Sequence, residues 1–234
     1  MAVTFANFVF ASASGATSID VTITPDAGSN RILGVNIGAW DASAPDPNIT
    51  SVVMDPAGSA VSMVQRVSNK HTAANVSVEL WDAIESIWTT PPILIRATFD
   101  ATISNIHIAA FTLLDAAQQA PSSTDTDEHA FPGQNHSHTL TIVEDGSLAL
   151  GLMMADLPSS FWTPQHSQTE EYDTSIIGIT SSLNWLAVNI ADSPATLGNN
   201  SNDNSNNSVS IGAIYDSVAA SGGEQHLLLM GTGA

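Results

Sequence analysis

Apolar and polar residues alternate with a period of two along much of the chain. In SIDVTIT, residues 18–24, Ile19, Val21 and Ile23 are apolar, and the residues between them are polar. Successive side chains of a β-strand point to opposite faces, so this alternation predicts a half-buried strand. The same pattern predicts strands at residues 31–40, 49–54, 61–67, 75–82, 92–99, 105–114, 137–144, 147–156, 183–192, 208–216 and 224–231.

Turn-forming residues separate these segments. PDAGSN at 25–30, DPAGS at 55–59 and TTPP at 89–92 combine Pro, Gly, Asn and Asp, and EDGS at 144–147 is a hairpin signal. Short strands separated by turns, with no helices between them, are typical of two antiparallel sheets packed face to face. The pattern therefore predicts an all-β fold, a jelly-roll-like two-sheet antiparallel β-sandwich, formed by residues 1–234 as one domain.

Two of the predicted strands are apolar at consecutive positions, namely LALGLMM at 148–154 and HLLLM at 226–230. Such strands are covered on both faces. In a two-layer sandwich the second face must be covered by a long loop or by a neighbouring subunit, so we expect a homo-oligomer or a larger assembly. We expect the N-terminal strand or arm, residues 1–14, to contact the neighbours through Phe5, Phe8 and Phe10.

The chain is strongly acidic, with 4 Lys and Arg against 23 Asp and Glu and a formal net charge of −19. A nucleic-acid-binding protein needs cations to replace the counterions around phosphates, and an anionic membrane repels an acidic surface. We therefore expect neither nucleic acid nor a membrane as a partner. An acidic, lysine-poor surface suits solubility at high salt, which favours a marine or halophilic source.

The stretch DTDEHAFPGQNHSH, residues 125–138, contains 3 of the 7 histidines. On an extended strand, His136 and His138 would point to the same face, where a divalent cation can bind. The predicted site combines them with Asp125 and Asp127. Two alternatives stay open. In one, His129 or Glu128 completes the coordination shell of the cation. In the other, the stretch, which also holds Pro132 and Gly133, is a solvated loop without an ion.

Signatures of catalysis are missing from the sequence. There is no G-x-S-x-G elbow, no G-x-G-x-x-G and no phosphate-binding G-x-x-x-x-G-K-[ST]. Glu170 and Glu171 are adjacent, so on a strand they would point to opposite faces and would not flank one glycosidic bond. We therefore expect a protein that is not an enzyme and needs no cofactor, with a hydrolase of unmarked site as a third interpretation.

Two of the 5 tryptophans lie in predicted turns beside prolines, Trp88 in ESIWTTPP and Trp162 in SSFWTPQ. Aromatic faces stack on sugar rings, so these two are the predicted ligand contacts. Trp40, Trp81 and Trp185 lie inside strand patterns and are predicted to belong to the core.

The order of three segments, SNRILGVNIG (29–38), ITSVVMDPAGSAVSMVQRV (49–67) and VSVELWDA (76–83), resembles a group of β-sandwich proteins found in tailed-phage virions and on bacterial surfaces. In that group, an N-R-x-L strand precedes a V-T-S-V strand, a turn with A-x-x-x-V and a V-E-L-W strand. An apolar strand such as HLLLM closes the domain. The resemblance implies a jelly-roll-like fold and a virion or extracellular location, and it implies no catalytic residues.

The predicted function is that of a virion structural protein, a capsid decoration, cement or head-spike protein of a phage. It would act by adhesion to other virion proteins such as the major capsid protein. The alternative is a carbohydrate-binding or receptor-binding module that uses Trp88 and Trp162 together with a calcium ion held by the acidic stretch.

Overall fold

The computed structural model describes residues 1–42, 47–55, 57–130, 135–156, 162–176, 179–201 and 207–218. Strands dominate these residues, and the only helices among them are two short 3₁₀ helices, Glu85–Ile87 and Ile190–Asp192. The strands are β1 (Thr4–Ile23), β2 (Ile32–Trp40), β3 (Ile49–Met54), β4 (Val61–Ser62), β5 (Val64–His71), β6 (Val76–Ile84), β7 (Ile93–Leu114), β8 (Ser123–His129), β9 (Asn135–Leu140), β10 (Ser147–Ala155), β11 (Trp162–Pro164), β12 (Thr169–Ile176), β13 (Ile179–Val188), β14 (Ala195–Ser201) and β15 (Ser208–Tyr215).

The first half of the chain forms one seven-stranded antiparallel sheet with the order β4-β3-β7-β2-β6-β5, and β1 pairs with β7. β1 and β7 are long strands that pair along their lengths, from Thr4 opposite Leu114 to Ile23 opposite Ile93. The first half of β7 pairs with β3 and its second half with β2. Apolar residues of β1, β2, β3 and β7 pack into one core, which includes Val21, Val35, Ile37, Val52, Ile95 and Ile108.

A five-stranded sheet, β12-β13-β10-β15-β8, packs on the opposite face of β2, β6 and the second half of β7. The core between the two sheets includes Leu80, Phe111, Leu150, Leu152 and Ile211. Gly34 and Gly38 of β2 permit this close packing: a Cβ on Gly34 would overlap the Phe111 ring, and one on Gly38 would lie 2.6 Å from Met154 Sδ.

A three-stranded sheet, β11-β14-β9, covers the other face of the five-stranded sheet. Leu140 of β9 and Leu197 of β14 pack there against Ala149 of β10 and Ile214 of β15. Every residue of β10 is buried as a result. The chain thus stacks more layers than a simple sandwich, and its central strands are covered on both faces.

The prediction of an all-β, antiparallel, jelly-roll-like sandwich is confirmed. The expectation that a long loop or a neighbouring subunit covers LALGLMM is wrong, because β9 and β14 of the same chain cover it. The predicted strand at 224–231, with HLLLM, lies outside the described residues. In the described part of the chain, no helix is long and apolar enough to cross a membrane.

Candidate functional site

β8 and β9 contact each other through side chains, because the backbone of β8 pairs with β15 and the backbone of β9 pairs with β14. Three alternate side chains of β8 accept hydrogen bonds from backbone N–H groups of β9 and of Thr141, the residue just after it. The three hydrogen bonds are Thr141 N–H to Ser123 Oγ (3.2 Å), Thr139 N–H to Asp125 Oδ2 (3.0 Å) and Ser137 N–H to Asp127 Oδ2 (2.9 Å). This side-chain ladder explains why every second residue of β8 is partly buried although all residues of the strand are polar. The stretch 125–138 is therefore formed largely by two strands rather than by a solvated loop, and residues 131–134 lie outside the described part.

Asp127, His129 and His136 form a compact cluster at one end of the ladder. His129 Nε2 lies 3.1 Å from Asp127 Oδ2, and His136 Nδ1 lies 3.7 Å from the same oxygen. One ligand atom from each of the three residues lies within 4.8 Å of the others. The two imidazoles meet edge to face, with ring centroids 4.6 Å apart. His136 is buried, whereas Asp127 and His129 are partly exposed, so solvent reaches one side of the cluster.

His136 is anchored by two serines of β15. Its Nδ1 lies 2.7 Å from Ser210 Oγ and its Nε2 lies 2.7 Å from Ser208 Oγ. Burial, reinforced by the neighbouring His129, lowers the pKa of His136 to about 3. The imidazole is consequently neutral at pH 7, and a neutral imidazole keeps a lone pair for a hydrogen bond or a metal ion.

Asp127 is the carboxylate at the centre of the cluster. Burial alone would raise its pKa, but the hydrogen bond from Ser137 N–H and the interactions with the neighbouring imidazoles of His136 and His129 outweigh burial and hold the pKa below its ordinary value. The cluster therefore presents an ionised carboxylate beside a neutral buried imidazole.

Asp125 and His138, the other two predicted metal ligands, form a pair of their own, with His138 Nδ1 3.8 Å from Asp125 Oδ2. His138 is buried on the same face of β9 as His136, as the spacing predicted. Burial lowers the pKa of His138. Among the described residues neither of its ring nitrogens has a hydrogen-bond partner. The structure thus groups His129 with Asp127 and His136, and a role for Asp125 and His138 in binding an ion stays a prediction.

Trp88 and Trp162, the two predicted ligand contacts, lie far apart in the sequence and belong to different elements of the fold. Trp88 follows a 3₁₀ helix, and its indole N–H donates to Ala83 O at 3.0 Å. The Arg31 guanidinium lies 4.9 Å from the centre of the Trp88 ring, so one ring face is already covered. Trp162 begins β11, and its side chain lies outside what the structure describes. Binding of a sugar at either residue stays a prediction.

The three phenylalanines of the N-terminal strand differ in exposure. Phe5 stacks on Phe111 and Trp185, and Phe8 stacks on Tyr172, so both pack against the chain's own core. Phe10 is 49% exposed. Of the three predicted partner contacts, Phe10 presents the largest free surface.

The outer edge of β1 is the second candidate site. Among the described residues, β1 pairs only with β7, so the backbone groups along its other edge have no strand partner. No Asp, Glu, Lys or Arg occurs before Asp20. The other long edge strands carry charge: β5 has Arg66 and Lys70, and acids are frequent in β8 (STDTDEH) and β12 (TEEYDTSI).

The two candidate sites differ in kind. One is a cluster of side chains of the types that ligate metal ions, and the other is an uncharged strand edge. No family model matches the chain, and a search of curated proteins finds no similar sequence.

Proposed function

We propose that the protein is a structural component of a virus particle, of the capsid decoration, cement or head-spike type, which acts by adhesion to neighbouring subunits. Those neighbours would be the major capsid protein and further copies of this chain. The observation that carries the proposal is the long, uncharged outer edge of β1, with which no strand of the described residues pairs. The resemblance of about residues 17–83 to virion β-sandwich proteins supports the same function.

An unpaired strand edge is a template for another strand, because its N–H and C=O groups point outward in register. Proteins that must stay monomeric block such edges with charged residues, proline or short strands. β1 lacks charge and proline from residue 1 to residue 19. Between its two register shifts, Asn7 to Ser14 pair without interruption with β7. Eight residues at about 3.3 Å each give an edge about 26 Å long for an added strand.

Charge also favours β1 as the contact. Two copies of a chain with a net charge of −19 repel each other wherever acids face acids. The β1 edge is a surface where a neighbour can approach without that repulsion. The exposed ring of Phe10 adds apolar area beside the backbone hydrogen bonds.

The proposal is tested by measuring assembly. We expect the purified protein to form oligomers in native mass spectrometry, or to bind capsid shells of its own virus in co-sedimentation. A double variant, Ser12→Lys with Ser14→Lys, places two charges on exposed positions within the Asn7–Ser14 edge of β1. We expect it to weaken self-association or capsid binding by at least tenfold, because a partner strand would have to desolvate both ammonium groups.

Thr50→Lys is the control for charge added outside β1, since Thr50 is an exposed threonine of β3, another strand that pairs with β7. This variant should assemble like the wild type. A wild-type protein that stays monomeric at high concentration and ignores capsid shells would refute the proposal. Equal weakening by the control would show that added charge, and not the β1 edge, is responsible.

A further inference from the structure

The cluster of Asp127, His129 and His136 has nearly the spacing that a tetrahedral metal site requires. Bonds of about 2.0–2.1 Å from Zn²⁺ to nitrogen and oxygen place tetrahedral ligand atoms about 3.3–3.4 Å apart. The distances from Asp127 Oδ2 to His129 Nε2 and to His136 Nδ1 are 3.1 and 3.7 Å. All three ligand atoms lie within 4.8 Å of one another. Two of the three separations are thus within about 0.4 Å of the tetrahedral value.

We infer that Asp127, His129 and His136 bind a divalent transition metal ion, with Zn²⁺ as the reference ion and water as the fourth ligand. Two imidazole nitrogens and one carboxylate form a donor set that zinc uses with an open fourth position. Ca²⁺ and Mg²⁺ instead prefer shells of six or more oxygen atoms. The partly exposed Asp127 and His129 leave the fourth position open to solvent.

The residues around the cluster are suited to support an ion. Metal binding at His136 Nδ1 would replace the contact with the Ser210 hydroxyl, which also lies 3.4 Å from the backbone oxygen of Asp127 and can donate there. The Nε2–H group of His136 would then donate to Ser208 Oγ, 2.7 Å away. A hydrogen bond of this kind fixes the tautomer and the orientation of a ligating histidine.

Metal binding would connect two sheets. Asp127 and His129 belong to β8, at the edge of the five-stranded sheet, whereas His136 belongs to β9 in the three-stranded sheet. These strands contact each other through side-chain hydrogen bonds, so an ion adds strong bonds between them. The expected result is higher stability of the metal-bound protein, since the ion binds the folded state in preference to the unfolded one.

The experiment is a metal titration of chelator-treated full-length protein. We expect one equivalent of Co²⁺ to give the visible absorption bands of tetrahedral cobalt, and Zn²⁺ to displace it and raise the melting temperature. CaCl₂ and MgCl₂ should do neither. Asp127→Asn and His129→Gln should each weaken Co²⁺ and Zn²⁺ binding by at least tenfold, because each removes a ligand or its charge.

Glu128→Gln is the matched control for Asp127→Asn. It removes the same charge from the adjacent residue, whose carboxylate lies 3.7 Å from His71 instead of the cluster. Its affinity should stay within threefold of the wild type. His129 is partly exposed, so His129→Gln keeps the test valid if Asp127→Asn fails to fold.

Two outcomes would overturn the inference. One is the absence of stoichiometric Co²⁺ or Zn²⁺ binding by the folded wild-type protein. The other is loss of binding in Asp125→Asn with retention in Asp127→Asn and His129→Gln, which would assign the ion to the Asp125 and His138 pair. Neither outcome affects the proposed adhesion through β1, because that test needs no metal.

Discussion

At the scale of single residues, each of the few basic side chains forms an ion pair with a particular acidic side chain. All 4 basic side chains lie within 4.0 Å of a carboxylate. Asp82 is fully buried, and its carboxylate accepts hydrogen bonds from Arg66 Nε at 2.7 Å and Tyr215 O–H at 2.9 Å. Burial raises the pKa of Asp82 despite these partners, and the same cause raises the pKa of Glu79. Each of these two buried carboxylates therefore has a basic side chain and hydrogen-bond donors beside it.

His107 gives a prediction at this scale. It is buried beside Phe10 and Tyr172, and among the described residues its ring nitrogens have no hydrogen-bond partner. Burial lowers its pKa from 6.5 to about 4. Between these pH values the unfolded chain binds a proton that the folded chain excludes, so acidification favours unfolding. This residue should account for a loss of about 3 kcal/mol in the free energy of unfolding between pH 6.5 and pH 4.

The variant His107→Phe removes the titrating group but keeps an aromatic ring against Phe10 and Tyr172. Urea unfolding of both proteins at a series of pH values from 7.5 to 4 measures the effect. We expect the stability difference to be constant above pH 7 and to move by about 3 kcal/mol in favour of the variant at pH 4. Parallel pH curves for the two proteins would contradict this prediction.

At the scale of elements, β8 and β9 illustrate how polar side chains replace backbone pairing. Asp125 Oδ2 accepts the Thr139 N–H at 3.0 Å. Asp125→Ala should lower the free energy of unfolding by about 1 kcal/mol, because it removes a hydrogen bond to a charged acceptor, although water can still reach the exposed Thr139 N–H. It should also speed hydrogen exchange of the Thr139 amide by about tenfold.

Hydrogen exchange followed by NMR and urea unfolding measure these two effects. Thr126→Ala is the control, since Thr126 is the exposed neighbour on the opposite face of β8. Protection of the Thr139 amide that survives in Asp125→Ala would show that the side-chain ladder does not hold β9 in place.

At the scale of the whole molecule, net charge dominates. The formal charge of −19 makes the folded chain repel itself, and salt screens this repulsion. Raising NaCl from about 0.05 M to about 1 M shortens the Debye length to about 3 Å, so the melting temperature should rise. Thermal unfolding followed by circular dichroism checks this, with sucrose as a neutral co-solute for comparison. A melting temperature that falls with NaCl would contradict the prediction.

Stacked layers are the other property of the whole molecule. Leu150 and Leu152 of β10 pack toward one sheet, whereas Ala149 packs toward another. Apolar residues at consecutive positions correctly indicated two covered faces. They did not indicate what covers them, because hydrophobicity records burial and not the identity of the neighbour.

The candidate metal site was predictable only in part. The spacing of His136 and His138 correctly placed both side chains on one buried face of a strand. The grouping of Asp127 with His129 was one of several open alternatives, although a spacing of two also places that pair on one face of β8. β8 itself was missed, since STDTDEH has no apolar positions and its partly buried face is satisfied by N–H groups of β9.

The sequence by itself determined the strand-rich fold class, the acidic surface and the faces on which most side chains lie, because alternation and charge are local properties of the chain. Tertiary structure alone decided that β9 and β14 cover β10, that Phe5 and Phe8 pack inward, and that the outer edge of β1 has no strand partner in the described part of the chain. These features depend on the pairing of strands distant in sequence. A period of two specifies the face of a strand, but not its neighbour.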